Sequence, residues 1–183
     1  MSYDLIITGG KVVDGTGSAP YGADVAIKDG VIAKVGDLSE AVSVDVINAE
    51  NRIVTPGFVD IHTHYDGQVT WDSQLEPSSG HGVTTVVMGN CGVGFAPVRP
   101  GQEEWLIQLM EGVEDIPGTA LSEGMDWQWE TFPEYLDALD GKEFAIDVGT
   151  QIAHGAVRAY VMGERGAKND PATPKDIAEI KTI

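Results

Sequence analysis

The sequence predicts an α/β protein in two successive parts, an all-strand segment over residues 1–55 and a parallel sheet with covering helices over residues 56–183. Three observations predict it. Up to Val54 the apolar residues come in short β-branched runs broken by glycine-bearing turns, the pattern of strands without helices. After Pro56 the strand-like runs lose their alternation and are spaced by segments long enough to hold helices, as in a sheet covered on both faces. The hydrophobic share of 42% and charged share of 22% suit one globular chain, with too few charges for disorder.

The first part carries Leu5-Ile6-Ile7, Lys11-Val12-Val13, Ala23–Ile27 and Val31–Val35, from which we expect an antiparallel meander. Asp29-Gly30 between two such runs predicts a tight hairpin, because the turn needs positive φ and glycine supplies it without strain. Val46-Ile47 and Arg52-Ile53-Val54 bracket a second turn at Glu50-Asn51, where asparagine tolerates the left-handed conformation. No helix is needed before residue 55.

The second part begins with Pro56-Gly57-Phe58-Val59-Asp60-Ile61-His62-Thr63-His64. Phe58–Ile61 reads as a short buried strand, and in extended chain His62 and His64 project from one face. Two imidazoles there can grip one metal ion or form a hydrogen-bonded pair in a turn. Val83–Met88 is a second strand, followed by Gly89-Asn90-Cys91-Gly92-Val93-Gly94, so Cys91 sits just past a strand's carboxyl end. That end is where ligands bind in parallel α/β folds, and three potential ligands converge there.

Residues 95–133 form a long acidic stretch with one amphipathic helix presenting Trp105, Leu106, Leu109 and Met110. Such stripes are usually core. Thr131-Phe132-Pro133 opens a further helix that Gly141 closes, and Phe144–Ile152 reads as a third strand delivering His154 to the same mouth. Thr173-Pro174 starts a last helix, whose apolar residues Ile177, Ile180 and Ile183 begin a stripe that stops. We therefore expect the front part of a longer protein, since eight βα units take about 250 residues.

Charge and cysteine content narrow the partners. A net charge of -18, from 29 acidic against 11 basic residues, repels phosphate backbones and anionic headgroups, which argues against nucleic acid and membrane partners. Met1-Ser2-Tyr3-Asp4 has no basic region and the apolar run stops at Gly9-Gly10, so a cytoplasmic protein is expected. The single cysteine, Cys91, cannot pair within the chain and is either a buried thiol or a reactive or metal-bound one.

The strand meander followed by Val54-Thr55-Pro56-Gly57-Phe58-Val59-Asp60-Ile61-His62-Thr63-His64 resembles the opening of an amidohydrolase-superfamily enzyme. Tyr65-Asp66, Trp71-Asp72, Gly82–Val87, Gly89-Asn90-Cys91-Gly92 and Ala153–Arg158 resemble its N-acyl-D-amino acid deacylase branch. The resemblance implies the first part of a metal-dependent (β/α)8 TIM barrel over 56–183, preceded by strands of a small β-sandwich over 1–55. It implies His62, His64 and Cys91 as ligands for one or two zinc ions, and hydrolysis of N-acyl-D-amino acids to a carboxylate and a D-amino acid. The general base, an aspartate, and two further histidine ligands are expected beyond residue 183. The remainder of the barrel, in the same or a second chain, would be needed for activity, and association of the chain, including as a homo-oligomer, is expected.

Other residues carry open roles. His154 could meet the substrate or bond a neighbouring loop, and Arg158 could attract the substrate's carboxylate or pair within the protein. Asp60 could orient a ligand histidine or satisfy loop amides. Asp66 has no assigned role, and His81, before the second strand, should lie at the opposite end. Two other readings stand beside the deacylase: a cyclic-amide hydrolase of the dihydroorotase or hydantoinase kind, and a non-catalytic scaffold, against which the three ligands argue.

Overall fold

A computed structural model describes residues 2–112 and 116–183; residues 113–115 of the long acidic stretch lie outside the described residues. The chain divides into two compact units, one ending at Pro56 and the other running Gly57–Ile183.

Among the described residues the first unit holds seven strands, β1 (Ser2–Thr8), β2 (Lys11–Val12), β3 (Tyr21–Gly22), β4 (Asp24–Lys28), β5 (Val31–Gly36), β6 (Val42–Asn48) and β7 (Ile53–Val54). They form two sheets, ordered β5-β4-β1-β6 and β3-β2-β7. The expected antiparallel meander is corrected here, because β1 pairs with β6 and β2 with β7 in parallel. Side-chain period fixes which residues share a face but not which strand lies alongside, so the crossovers leave no local mark. The β4–β5 hairpin turns where expected, with Asp29 at φ 52° and Gly30 at φ 76°. Asn51 likewise stands at φ 61°. Ile6, Ala26 and Leu38 make a small core in this unit.

Among its described residues the second unit is built on three parallel strands, β8 (Phe58–Asp60), β9 (Val83–Met88) and β10 (Asp147–Thr150), in the order β10-β9-β8. Phe58, Val59 and Ile61 are 60%, 59% and 72% exposed, so the buried strand expected there is an exposed one. Its position at the sheet's edge, with β9 as its neighbour, is the reason. The third strand is shorter than Phe144–Ile152, because Phe144 and Ile146 pack against the core before the ladder begins.

Six helices accompany these strands among the described residues: α1 (Glu103–Glu111), α2 (Gly118–Gly124), α3 (Phe132–Asp140), α4 (His154–Met162), α5 (Glu164–Ala167) and α6 (Pro174–Ile180). Helix α1 buries Leu106, Ile107 and Met110, a face turned slightly from the expected stripe. Helix α3 starts on a capping box in which Thr131 Oγ1 accepts the Glu134 amide and Glu134 Oε2 accepts the Thr131 amide, an arrangement that stabilises a helix start by about 1 kcal/mol. Gly141 closes it in a right-handed conformation, φ -74°, so its freedom is not used.

The unit's core gathers Phe95, Leu106, Ile107, Leu121, Trp129 and Tyr135 beneath β9 residues Val86 and Met88. Each fully buried side chain of this size contributes roughly 1.5–3 kcal/mol. Trp129 Nε1 donates to the Phe95 carbonyl at 2.8 Å and its ring meets Tyr135 edge-on, so the acidic stretch is anchored to the core by its tryptophans. Ile177 and Ile183 stay exposed. No described helix is long and apolar enough to cross a membrane.

Candidate metal centre

The sequence His62-Thr63-His64 continues β8 past its end, and the alternation of extended chain divides it between two faces. Thr63 turns inward and is buried. Its amide and its Oγ1 both donate to the Val87 carbonyl of β9, at 3.0 and 2.9 Å. Pinning the middle residue to β9 leaves both imidazoles on the other face, with ring centroids 5.5 Å apart. Asp60 Oδ1 accepts the His62 amide at 3.1 Å, so this carboxylate satisfies a loop amide.

Cys91 is delivered by the turn after β9. Gly89 and Gly92 have φ 84° and 78°, and Cys91 itself sits at φ 55°, a left-handed conformation that a side chain adopts only under constraint. The constraint is close packing: a Cβ at Gly89 would stand 2.1 Å from the Gln151 carbonyl oxygen, and one at Gly155 would stand 2.4 Å from that of Gly92. The turn is thereby wedged between the end of β10 and the start of α4, and Cys91 Sγ lies 3.2 Å from His62 Nε2.

His62, His64 and Cys91 each offer one ligand atom, and these atoms lie within 4.8 Å of one another. Zinc bonds of about 2.0–2.1 Å to nitrogen and 2.3 Å to sulfur put tetrahedral ligands roughly 3.3–3.6 Å apart. The donor set suits that ion in chemistry; the His62 Nε2–Cys91 Sγ pair, at 3.2 Å, is near that spacing, and the full set spans up to 4.8 Å. Cys91 is exposed, which leaves the group open to solvent on one side.

The remaining residues divide around this group. His154 is the first residue of α4, and its Cβ lies 3.9 Å from where a Cβ on Gly92 would stand, beside the cysteine turn. Arg158 Nη2 donates to the Asp170 carbonyl at 2.6 Å, so its guanidinium is engaged within the protein. His81 ends the short turn Ser79–His81 ahead of β9, at the opposite strand end from Cys91.

Sequence reasoning gave no role to three polar residues that the fold brings here. Asp66 is 3% exposed, and burial pushes its carboxyl up to about 7 against the opposing effect of the Gly89 amide. Its backbone carbonyl accepts the buried Tyr135 hydroxyl at 2.9 Å, and burial beside Asp66 raises that phenol well above its ordinary value. Asn90 and Gln151 meet across the turn, Gln151 Nε2 donating to Asn90 Oδ1 at 3.2 Å. Their signal in the sequence is position alone, Asn90 beside the cysteine and Gln151 just past a strand.

Fold and donors together define a class: an α/β protein with a nitrogen and sulfur donor group at the carboxyl ends of neighbouring parallel strands. A family profile described as "Amidohydrolase family" matches residues 45–182, and the chain belongs to that family. It is 36% identical over 180 residues to an uncharacterized protein of Mycobacterium tuberculosis, covering 96% of this chain and 29% of that protein. It is 34% identical over 180 residues to a D-aminoacylase of Alcaligenes xylosoxydans xylosoxydans, covering 97% of this chain and 35% of that one. The structure of an N-acyl-D-glutamate deacylase from Bordetella bronchiseptica, complexed with zinc and a phosphonate inhibitor, superposes with a TM-score of 0.78 at 30% identity, covering all of this chain and 35% of that one. The chain thus spans about a third of the length of these relatives. The fold class is the expected one, part of an amidohydrolase (β/α)8 barrel preceded by strands of a small β domain.

Proposed function

We propose that this chain is part of a zinc-dependent hydrolase that cleaves the amide bond of N-acyl-D-amino acids, releasing a carboxylate and a free D-amino acid. The observation that carries the reading is the gathering of His62, His64 and Cys91 ligand atoms within 4.8 Å. The D-aminoacylase and N-acyl-D-glutamate deacylase relatives support the substrate class, and the zinc in the latter's structure supports the metal. When bound, zinc supplies a Lewis acid that polarises an amide carbonyl and lowers the pKa of water.

The chain's own residues do the holding. Thr63 on Val87 and Asp60 on the His62 amide fix the two imidazoles, and the strained turn fixes the thiol. This reading gives the substrate's polar groups to His154, at the start of α4, and to the guanidinium donors of Arg158 other than the one on the Asp170 carbonyl. Residues 1–55 contribute a β-sandwich segment and 56–183 the first part of the barrel. A general-base aspartate from outside these residues takes the proton of water and returns it to the leaving nitrogen. The exposed apolar side chains of Phe58, Val59 and Ile61 on an edge strand support completion of the barrel by further strands, in the same chain or a second one.

The test is release of free amino acid from N-acyl-D-amino acids, their L enantiomers and cyclic imides by the zinc-loaded chain together with the remainder of the barrel. D-selective release, lost on Cys91→Ser, is expected. Hydrolysis of the cyclic imides alone, or of none of these compounds, would contradict the proposal.

A further inference from the structure

We infer that Asn90 is a positioning residue for the donor group, clamping the His62–His64 segment to the Cys91 turn, with Gln151 setting the orientation of its amide; the inference rests on the metal reading above. An asparagine side chain has two N–H donors and one acceptor oxygen, and all three are committed here. One donor reaches the Val87 carbonyl at 2.9 Å. The Nδ2 group also lies 3.4 Å from both the Ile61 and Thr63 carbonyls, the carbonyls immediately before His62 and His64. Oδ1 accepts from Gln151 Nε2 at 3.2 Å. One amide therefore links the segment after β8, β9 and the segment after β10 from the residue next to Cys91.

The consequence is geometric. Val87 O also holds the Thr63 amide and hydroxyl, so Asn90 and Thr63 converge on one strand-end carbonyl. The Asn90 backbone carbonyl in turn accepts the Val93 amide at 2.9 Å, closing the turn that carries Cys91. Loss of the side-chain amide frees the peptide groups before His62 and His64 from the turn while leaving all three ligands in place. Gln151 matters because a donor at Oδ1 keeps Nδ2 facing the carbonyls; a carboxylate there would reverse the amide. Partners that orient ligands in this way are typically worth 10–100-fold in metal affinity.

The experiment compares the 183-residue chain with Asn90→Ala, Asn90→Asp, Gln151→Met and Gln151→Glu. Zinc affinity is read by competition with a chromophoric chelator, and the thiolate-to-cobalt absorption band is recorded on cobalt-loaded protein. Zinc affinity should fall about 10–100-fold in the Asn90 variants and less, in the same direction, in Gln151→Glu. The cobalt band should weaken or shift in each, with far-ultraviolet circular dichroism unchanged. Unaltered affinity and band in Asn90→Asp would overturn this inference and leave the metal reading standing. If the Asn90 variants do not fold, the Gln151 pair decides: weakened binding in Gln151→Glu supports the clamp and unaltered binding overturns it. A parent chain that takes up no zinc would overturn the metal reading, and the inference with it.

Discussion

His62 Nε2 lies 3.2 Å from Cys91 Sγ although 29 residues separate them in sequence. The parallel register that pairs Asp60 with Val86 brings it about. Two residues past Asp60 is His62, and five past Val86 is Cys91; the turn Asn90–Gly92 folds the longer overhang back. The donor pair follows from strand pairing, glycine turn chemistry and one strained cysteine.

Removing any of the three donors should cost more zinc affinity than removing a residue that only orients them. His62→Ala, His64→Ala and Cys91→Ser are each expected to weaken zinc binding by more than about 100-fold, beyond the 10–100-fold of an orienting partner. Chelator competition on the purified chain measures it, and near-parental affinity in any one would remove that residue from the set.

Gly89→Ala should be among the most damaging single-methyl changes in the chain. The added Cβ would meet the Gln151 carbonyl oxygen at 2.1 Å on a backbone at φ 84°. Overpacking and left-handed strain together cost about 2–4 kcal/mol. Gly15→Ala, at φ 78° with nothing within 4 Å, should cost only about 1 kcal/mol. Urea denaturation of both variants compares them, and equal midpoints would contradict the packing argument.

Tyr135→Phe isolates one buried hydrogen bond. The ring is 2% exposed and its hydroxyl donates to the Asp66 carbonyl at 2.9 Å. Deleting the hydroxyl leaves that carbonyl without this donor and should lower stability by about 1–2 kcal/mol. A thermal midpoint within error of the parent would show that the bond contributes nothing.

The start of α6 should be acid-sensitive. Asp176 accepts Arg165 Nη2 at 2.8 Å on both carboxylate oxygens and also takes the Thr173 amide. The Arg165 guanidinium, then the Thr173 donors, hold its carboxyl down at about 2. A carboxyl depressed on folding stabilises the fold above its unfolded value of 3.8 and loses that contribution as pH falls towards 2. The thermal midpoint should therefore drop across this window by more in the parent than in Asp176→Asn. Parallel curves would contradict it.

Much of this was legible in local sequence, and the exceptions share a cause. Val83–Met88 is a strand over its full expected span because a β-branched run lies between Gly82 and Gly89, both at positive φ. The caps at Thr131 and Thr173 were legible for the same local reason. Helix α2 was not, since in Gly118–Gly124 the apolar residues Ala120 and Leu121 are adjacent, which makes no stripe, and only Leu121 is buried. The parallel pairing of β1 with β6 was hidden because alternation names a face and not a neighbour. At the site the pair of histidines and the glycine turn showed in the sequence. Asn90 and Asp66 did not, because their partners come from other segments: the Ile61 and Thr63 carbonyls, and the Gly89 amide with Tyr135.

X-ray absorption at the zinc edge of the zinc-loaded chain tests the central claim most directly. The account predicts one sulfur neighbour at about 2.3 Å with nitrogen neighbours at about 2.0–2.1 Å, and loss of the sulfur in Cys91→Ser. A shell of oxygen and nitrogen alone in the parent chain, or an identical spectrum in Cys91→Ser, would contradict it.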